Sequence, residues 1–138
     1  MKKYKVFSLS GILALSAVLS IFLSACYTSV ELPLSGVTLD SNEIRLTLPF
    51  EEGVLAIRNL TATLLPSVER PEIAVEWSIG DTRIADFLGN PPQKIGPDGV
   101  TSTVTLIARS PGETTVTVWV GGRAFHDLAR VIVNPRLP

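Results

Sequence analysis

The chain has 138 residues, 46% of them hydrophobic and 18% charged, with a formal net charge of −1. Its single cysteine excludes an intramolecular disulfide scaffold and a cysteine metal site. The absence of a basic cluster argues against a nucleic-acid partner, because that affinity comes mainly from Lys and Arg neutralising phosphates.

Lys2, Lys3 and Lys5 open the chain, and Val6 to Leu23 is then uncharged and mostly apolar. Positive charge, an apolar run and small residues at its end form the layout of a secretory signal. The run closes on Leu23-Ser24-Ala25-Cys26. These four residues resemble the lipobox of bacterial lipoproteins, in which a leucine and two small residues precede a cysteine. The resemblance implies that residues 1–25 are a signal peptide cut between Ala25 and Cys26, and that the Cys26 sulfur receives diacylglycerol. The freed amino group is then open to acylation by a fatty acid such as palmitate. Each buried methylene contributes roughly 0.8 kcal/mol, so one chain holds marginally and two or more hold stably. An uncleaved transmembrane helix is the alternative, because the uncharged run is just long enough to span a bilayer. Ser8, Ser10, Ser16 and Ser20 dilute that run and favour the signal peptide. Tyr27 stands where some lipoproteins carry an aspartate that retains them at the inner membrane, so the resemblance implies the outer membrane, on either face.

Residues 26–138 hold 9 basic and 13 acidic side chains, a net charge of −4. That length suits one domain and not two. Residues 26–35 read as the lipidated cysteine and a tether, and residues 27–35 fully extended reach at most roughly 30 Å.

From Gly36 onward the pattern is that of strands. Val37 to Leu39 is a short apolar segment before a polar turn at Asp40-Ser41-Asn42. Ile44, Leu46 and Leu48 alternate with Arg45 and Thr47, the period-two pattern of a half-buried strand. Leu60, Ala62 and Leu64 alternate next, then Val75, Trp77 and Ile79. Ile84 to Leu88 is short and apolar, and Gly89 to Gly99 is irregular, closing on the turn Pro97-Asp98-Gly99. Val104, Leu106 and Ala108 form a further strand, and Val116, Val118 and Val120 another. Gly121-Gly122 predicts a tight hairpin turn into a last strand at Ala129, Val131 and Val133. The alternation slips around Phe125 to Leu128, which predicts a bulge or loop there.

About seven short strands with a turn every ten or so residues predict an all-β, antiparallel Ig-like sandwich over residues 36–135. The segments Val37-Thr38-Leu39, Leu60-Thr61-Ala62-Thr63, Val75-Glu76-Trp77-Ser78, Ile84-Ala85 and Gly112 to Val118 resemble the bacterial Ig-like domain, group two. That is the kind found in intimin- and invasin-like surface proteins. The resemblance implies an Ig-like sandwich in an extracytoplasmic binding or spacer role.

Catalytic chemistry finds little support in the residues. His126 and Asp127 are adjacent, so on a strand they point to opposite faces and cannot orient one another as a triad requires. Glu51-Glu52 precedes a glycine and reads as a solvated turn. Asp81 and Asp98 sit in turns, where they cap their own backbone. No local cluster supplies the six to eight oxygens that calcium takes, and no cofactor is implied. On the strand carrying Val116, Val118 and Val120, the residues Thr115, Thr117 and Trp119 take the opposite face. An aromatic side chain outside the core marks a candidate contact surface, although packing under a loop accounts for it too. The sequence therefore predicts a lipid-anchored, non-catalytic binding or adhesion module, with a protein or carbohydrate ligand. The rival is a structural or assembly lipoprotein that docks on another envelope protein.

Overall fold

The computed structural model describes residues 32–137. Their regular elements are eight strands: β1 (Gly36–Leu39), β2 (Glu43–Thr47), β3 (Ile57–Leu65), β4 (Val75–Ile79), β5 (Ala85–Phe87), β6 (Thr101–Ala108), β7 (Gly112–Val120) and β8 (Phe125–Asn134). They form two four-stranded sheets, ordered β1-β3-β6-β5 and β2-β8-β7-β4. Taking β1 and β2 as halves of one divided first strand, this is the ABED and CFG arrangement of an immunoglobulin sandwich. The fold expected from the alternation is thus the fold observed.

One pairing departs from the antiparallel expectation. β2 runs parallel to β8, with Glu43 opposite Arg130 and Thr47 opposite Asn134. β1 instead pairs antiparallel with β3 in the other sheet. The chain changes sheets at Asp40-Ser41-Asn42, the polar turn seen in the sequence. Two carboxylates secure the crossing: Thr61 N–H donates to Asp40 Oδ1 at 3.1 Å, and Leu39 N–H donates to Asp127 Oδ2 at 2.9 Å.

The core lies between the sheets and follows the predicted alternation closely. Ile44, Leu60, Leu64, Leu106, Val116, Val118 and Val131 are fully buried. Trp77 lies among them at 7% exposure. Its indole N–H donates 3.0 Å to Ser102 Oγ, a bond from β4 to β6 that joins the two sheets. This satisfies the one polar atom of a side chain otherwise suited to burial.

Two local expectations are corrected. The stretch Phe125 to Leu128 is neither bulge nor loop, since β8 pairs with β7 in unbroken register from Phe125 to Val133. Phe125, Asp127 and Ala129 all take the inner row, and Leu128, at 51% exposure, takes the outer one. A polar residue inside and an apolar one outside made a continuous strand look out of phase. The turn before it is also longer than a two-residue hairpin, because Gly121 to Ala124 lie between the paired Val120 and Phe125.

Three connections gather at one pole of the sandwich: residues 66–74, 88–100 and 121–124. Arg70 N–H donates to Gly99 O, Val75 N–H to Gln93 O and Ile95 N–H to Ile73 O. The long irregular segment thereby runs along β4, shielding an edge that would otherwise offer free backbone groups. Residues 32–35 meet the same pole rather than standing off as tether. Ser35 N–H donates 2.8 Å to Leu65 O, and Leu34 packs against the core beside Gly121.

Candidate binding surface

The outer face of the β2-β8-β7-β4 sheet carries the side chains singled out in the sequence. Valines at 116, 118 and 120 are buried, so Thr115, Thr117 and Trp119 project outward, each half-buried. Register sets their neighbours. Trp119 lies between Glu76 on β4 and His126 on β8, Thr117 between Ser78 and Leu128, and Thr115 beside Arg130. The structure therefore brings the three predicted residues onto one face. Leu23, Ser24, Ala25 and Cys26 lie outside the described residues.

Trp119 is not bare. The Arg123 guanidinium sits 4.9 Å from the ring centroid, in cation–π range. The same guanidinium donates through Nε to Glu76 Oε2 at 2.9 Å and through Nη2 to Glu76 Oε1. Those hydrogen bonds hold the Glu76 carboxyl below the ordinary carboxylate range and raise the guanidinium in turn. Arg123 reaches the ring from the β7–β8 turn, where its φ is 70°, the one positive φ of a non-glycine among the described residues. It follows Gly121 and Gly122 at φ 64° and 65°, so three successive residues turn left-handed. A side chain in that region carries a steric penalty of roughly 1–2 kcal/mol, which is tolerated where surrounding contacts fix the conformation. Here the ion pair and the indole fix it.

The result is a shallow depression walled by Ala74, Glu76, Gln93, Trp119 and Arg123. Its lining combines an aromatic ring, a carboxylate paired with a guanidinium, and a primary amide. These groups suit hydrogen-bonded recognition of a polar ligand. The alternative packing under a loop is partly realised as well, with Arg123 as the cover. Nothing in the period-two pattern marks Arg123, because its contact depends on the left-handed turn. The spacing of a tryptophan and an arginine across two glycines is the only hint.

Further along the face the character changes. Arg130 bridges Glu113 at 2.6 Å and approaches Glu43 at 4.0 Å, while Arg45 bonds Glu43 at 2.8 Å. This is a solvated charge ladder over the β2 half of the sheet.

The other candidates behave as turn and surface residues. His126 is exposed on the outer row and Asp127 faces inward to Leu39, so the two never meet. The Thr101 hydroxyl donates to Asp98 and, with Thr101 N–H at 2.9 Å and Val100 N–H at 3.0 Å, holds its carboxyl below the ordinary range. Asp81 is held low in the same way by Arg83. Among the described residues, no group of three His, Cys, Asp or Glu side chains is placed to hold a metal ion.

No family model matches the sequence. No curated protein matches it either. Solved structures do. The chain is similar to the surface layer protein SbsC, domains 1–6, with a TM-score of 0.55 and 19% identity over 77% of this chain and 14% of that one. It is similar also to domains 4 and 5 of the S-layer protein SbsC, with a TM-score of 0.51 and 19% identity over 74% of this chain and 53% of that one. The chain spans about a seventh and about half of those two proteins. At this identity the likeness is one of fold, and it agrees with the two-sheet topology.

Proposed function

We propose that this chain is a bacterial lipoprotein, anchored through Cys26, whose single Ig-like domain is a non-catalytic binding or adhesion module at the cell envelope, on the outer membrane. The observation that carries the binding reading is the cluster of Trp119, Arg123 and Glu76. An arginine is held in a left-handed turn so that its guanidinium lies on an outward-facing indole. The Leu23-Ser24-Ala25-Cys26 match supports the anchor, and the Val75-Glu76-Trp77-Ser78 and Gly112 to Val118 segments support membership of the group-two bacterial Ig-like domains. The ligand is a protein or a carbohydrate, and no cofactor takes part.

The lipid-free domain, wild type and Trp119→Ala, tests this on arrays of envelope proteins, host matrix proteins and glycans. Binding by the wild type that falls at least tenfold in the variant is expected. Equal retention by both would remove Trp119 from the contact surface.

A second reading has its own observation. The β2–β3 connection exposes Phe50, Val54 and Leu55, with Phe50 at 76% exposure. An apolar tip suits docking on another envelope protein, as a structural or assembly lipoprotein requires. Proteolysis of intact cells separates the two: an adhesin is cut, whereas a factor facing the periplasm is protected.

A further inference from the structure

The membrane anchor and the sandwich are linked by very little chain, and the place where that chain meets the sandwich is specific. Cys26 is six residues from Leu32, a span of at most about 20 Å at the extended limit of 3.3–3.6 Å per residue. Residues 32–35 are already fastened to the domain. Ser35 donates from N–H and from its hydroxyl to Leu65 O, at 2.8 and 3.0 Å, and the Arg70 guanidinium donates to Leu32 O. These bonds collect Leu32, Leu65 and Val68, at 52%, 39% and 40% exposure, around the point where the chain arrives. Three partly exposed apolar side chains thus lie where the chain enters the domain.

Resting on the lipid anchor proposed above, we infer that this rim is a membrane-contact surface: Leu32, Leu65 and Val68 lie against the headgroups of the bilayer that holds Cys26. The short link supplies the occupant, since no other surface is tied so near. The headgroup layer is roughly 5–8 Å deep on each side of the hydrocarbon, and such an interface accommodates apolar side chains beside charged ones. Arg70, Lys94 and Arg123 at this pole balance Glu69, Glu72 and Asp98, so anionic lipid does not repel it as a whole. The opposite pole, with connections 48–56, 80–84 and 109–111 and the segment after β8, carries Glu51, Glu52 and Asp81 against Arg83, Arg109 and Arg136, so the short link from Cys26, not charge, chooses between the poles. The ten residues of β8 run from the first pole to the second, a rise of roughly 33 Å. The domain thus stands on its three-loop pole, and Phe50, Val54 and Leu55 form the tip farthest from the lipid. The Trp119 depression, beside the 121–124 turn, is then close to the membrane and suits a partner that approaches along it.

The test uses the lipidated chain in vesicles of phosphatidylethanolamine and phosphatidylglycerol. The native Cys26 sulfur is taken by the thioether, so one added thiol is unique. An environment-sensitive fluorophore is placed at Val68→Cys, Ser67→Cys or Glu52→Cys, all exposed sites, and nitroxide headgroup lipid serves as quencher. Quenching several-fold stronger at 67 and 68 than at 52 is expected. Equal quenching at both poles, stronger quenching at 52, or none at either overturns the orientation while leaving the anchor standing. Mass spectrometry of the same sample reads the anchor separately. Absence of the diacylglyceryl mass overturns the anchor and this inference with it.

Discussion

Trp77 is the position where one substitution says most about the sandwich. Its side chain is 7% exposed and spans from β4 to β6 through the bond to Ser102. An indole buries on the order of 200 Å², which at about 25 cal/mol per Å² gives about 5 kcal/mol. Residual burial in the unfolded chain trims this to about 3–4.5 kcal/mol. Trp77→Ala also strands Ser102 Oγ, at 2% exposure, for a further cost of about 1–3 kcal/mol. A loss of about 4 kcal/mol or more is between about a quarter and four fifths of the ~5–15 kcal/mol that holds a domain, so the variant unfolds at much lower urea. Trp77→Phe keeps much of the apolar volume and isolates the hydrogen bond. Combined with Ser102→Ala it closes a double-mutant cycle, because the second change removes the hydroxyl that the first leaves unpaired. The expected coupling is about 1 kcal/mol, read from urea midpoints followed by far-UV circular dichroism. If the two single changes add to within about 0.3–0.5 kcal/mol, the indole and the hydroxyl are not joined, and the claim that Trp77 ties the sheets is refuted.

Arg123→Gly removes both the cover on Trp119 and the left-handed strain, so the urea midpoint should barely move while tryptophan emission shifts red and acrylamide quenching rises; an unchanged spectrum counts against the stacked geometry. Gly99→Ala places a Cβ at φ +71°, 3.2 Å from Glu69 Cα, and should cost about 1–3 kcal/mol on steric grounds; a neutral result in thermal melts would mean the loop pole yields freely. The carboxyls of Glu76, Asp81 and Asp98 are all held low. Their stabilisation is therefore full above the unfolded value of about 4 and fades as pH falls through the lower folded values. Asp98→Asn should flatten that acid limb, and an identical pH profile in the variant would dismiss its loop bonds as contributors. Cys26→Ala should abolish incorporation of a palmitate analogue and leave the precursor uncut; label persisting on the alanine variant would sink the anchor.

The sandwich was legible because its signal is local. Each of β2, β3, β4, β6 and β7 alternates apolar and polar residues, and the burial of Ile44, Leu60, Trp77, Leu106 and Val118 follows that alternation position by position. What escaped depends on contacts between distant residues. Asp127 sits on an inner row because it receives Leu39 N–H, 88 positions away in the chain. No window of sequence contains both, so the strand read as broken. The parallel pairing of β2 with β8 escaped likewise, since alternation is the same for either direction. Arg123 escaped because glycines announce a turn without announcing its hand.

These misses share a physical theme. The departures from simple alternation lie where the chain leaves one sheet for another or reverses left-handedly, and there side-chain bonds replace ladder bonds. At the crossing, Asp40 and Asp127 take the N–H groups of Thr61 and Leu39, so the first strand can divide without leaving either donor unpaired. Division would have a mechanical consequence if the proposed Cys26 anchor holds the domain at its N-terminus. β1 is laddered to β3 over four residues and β2 to β8 over five, in different sheets. On that anchor, tension entering through residues 32–35 would load the β1–β3 ladder in one sheet and the β2–β8 ladder in the other. An undivided first strand would load only one sheet. The crossing that hid from the sequence thus ties the first strand to both sheets.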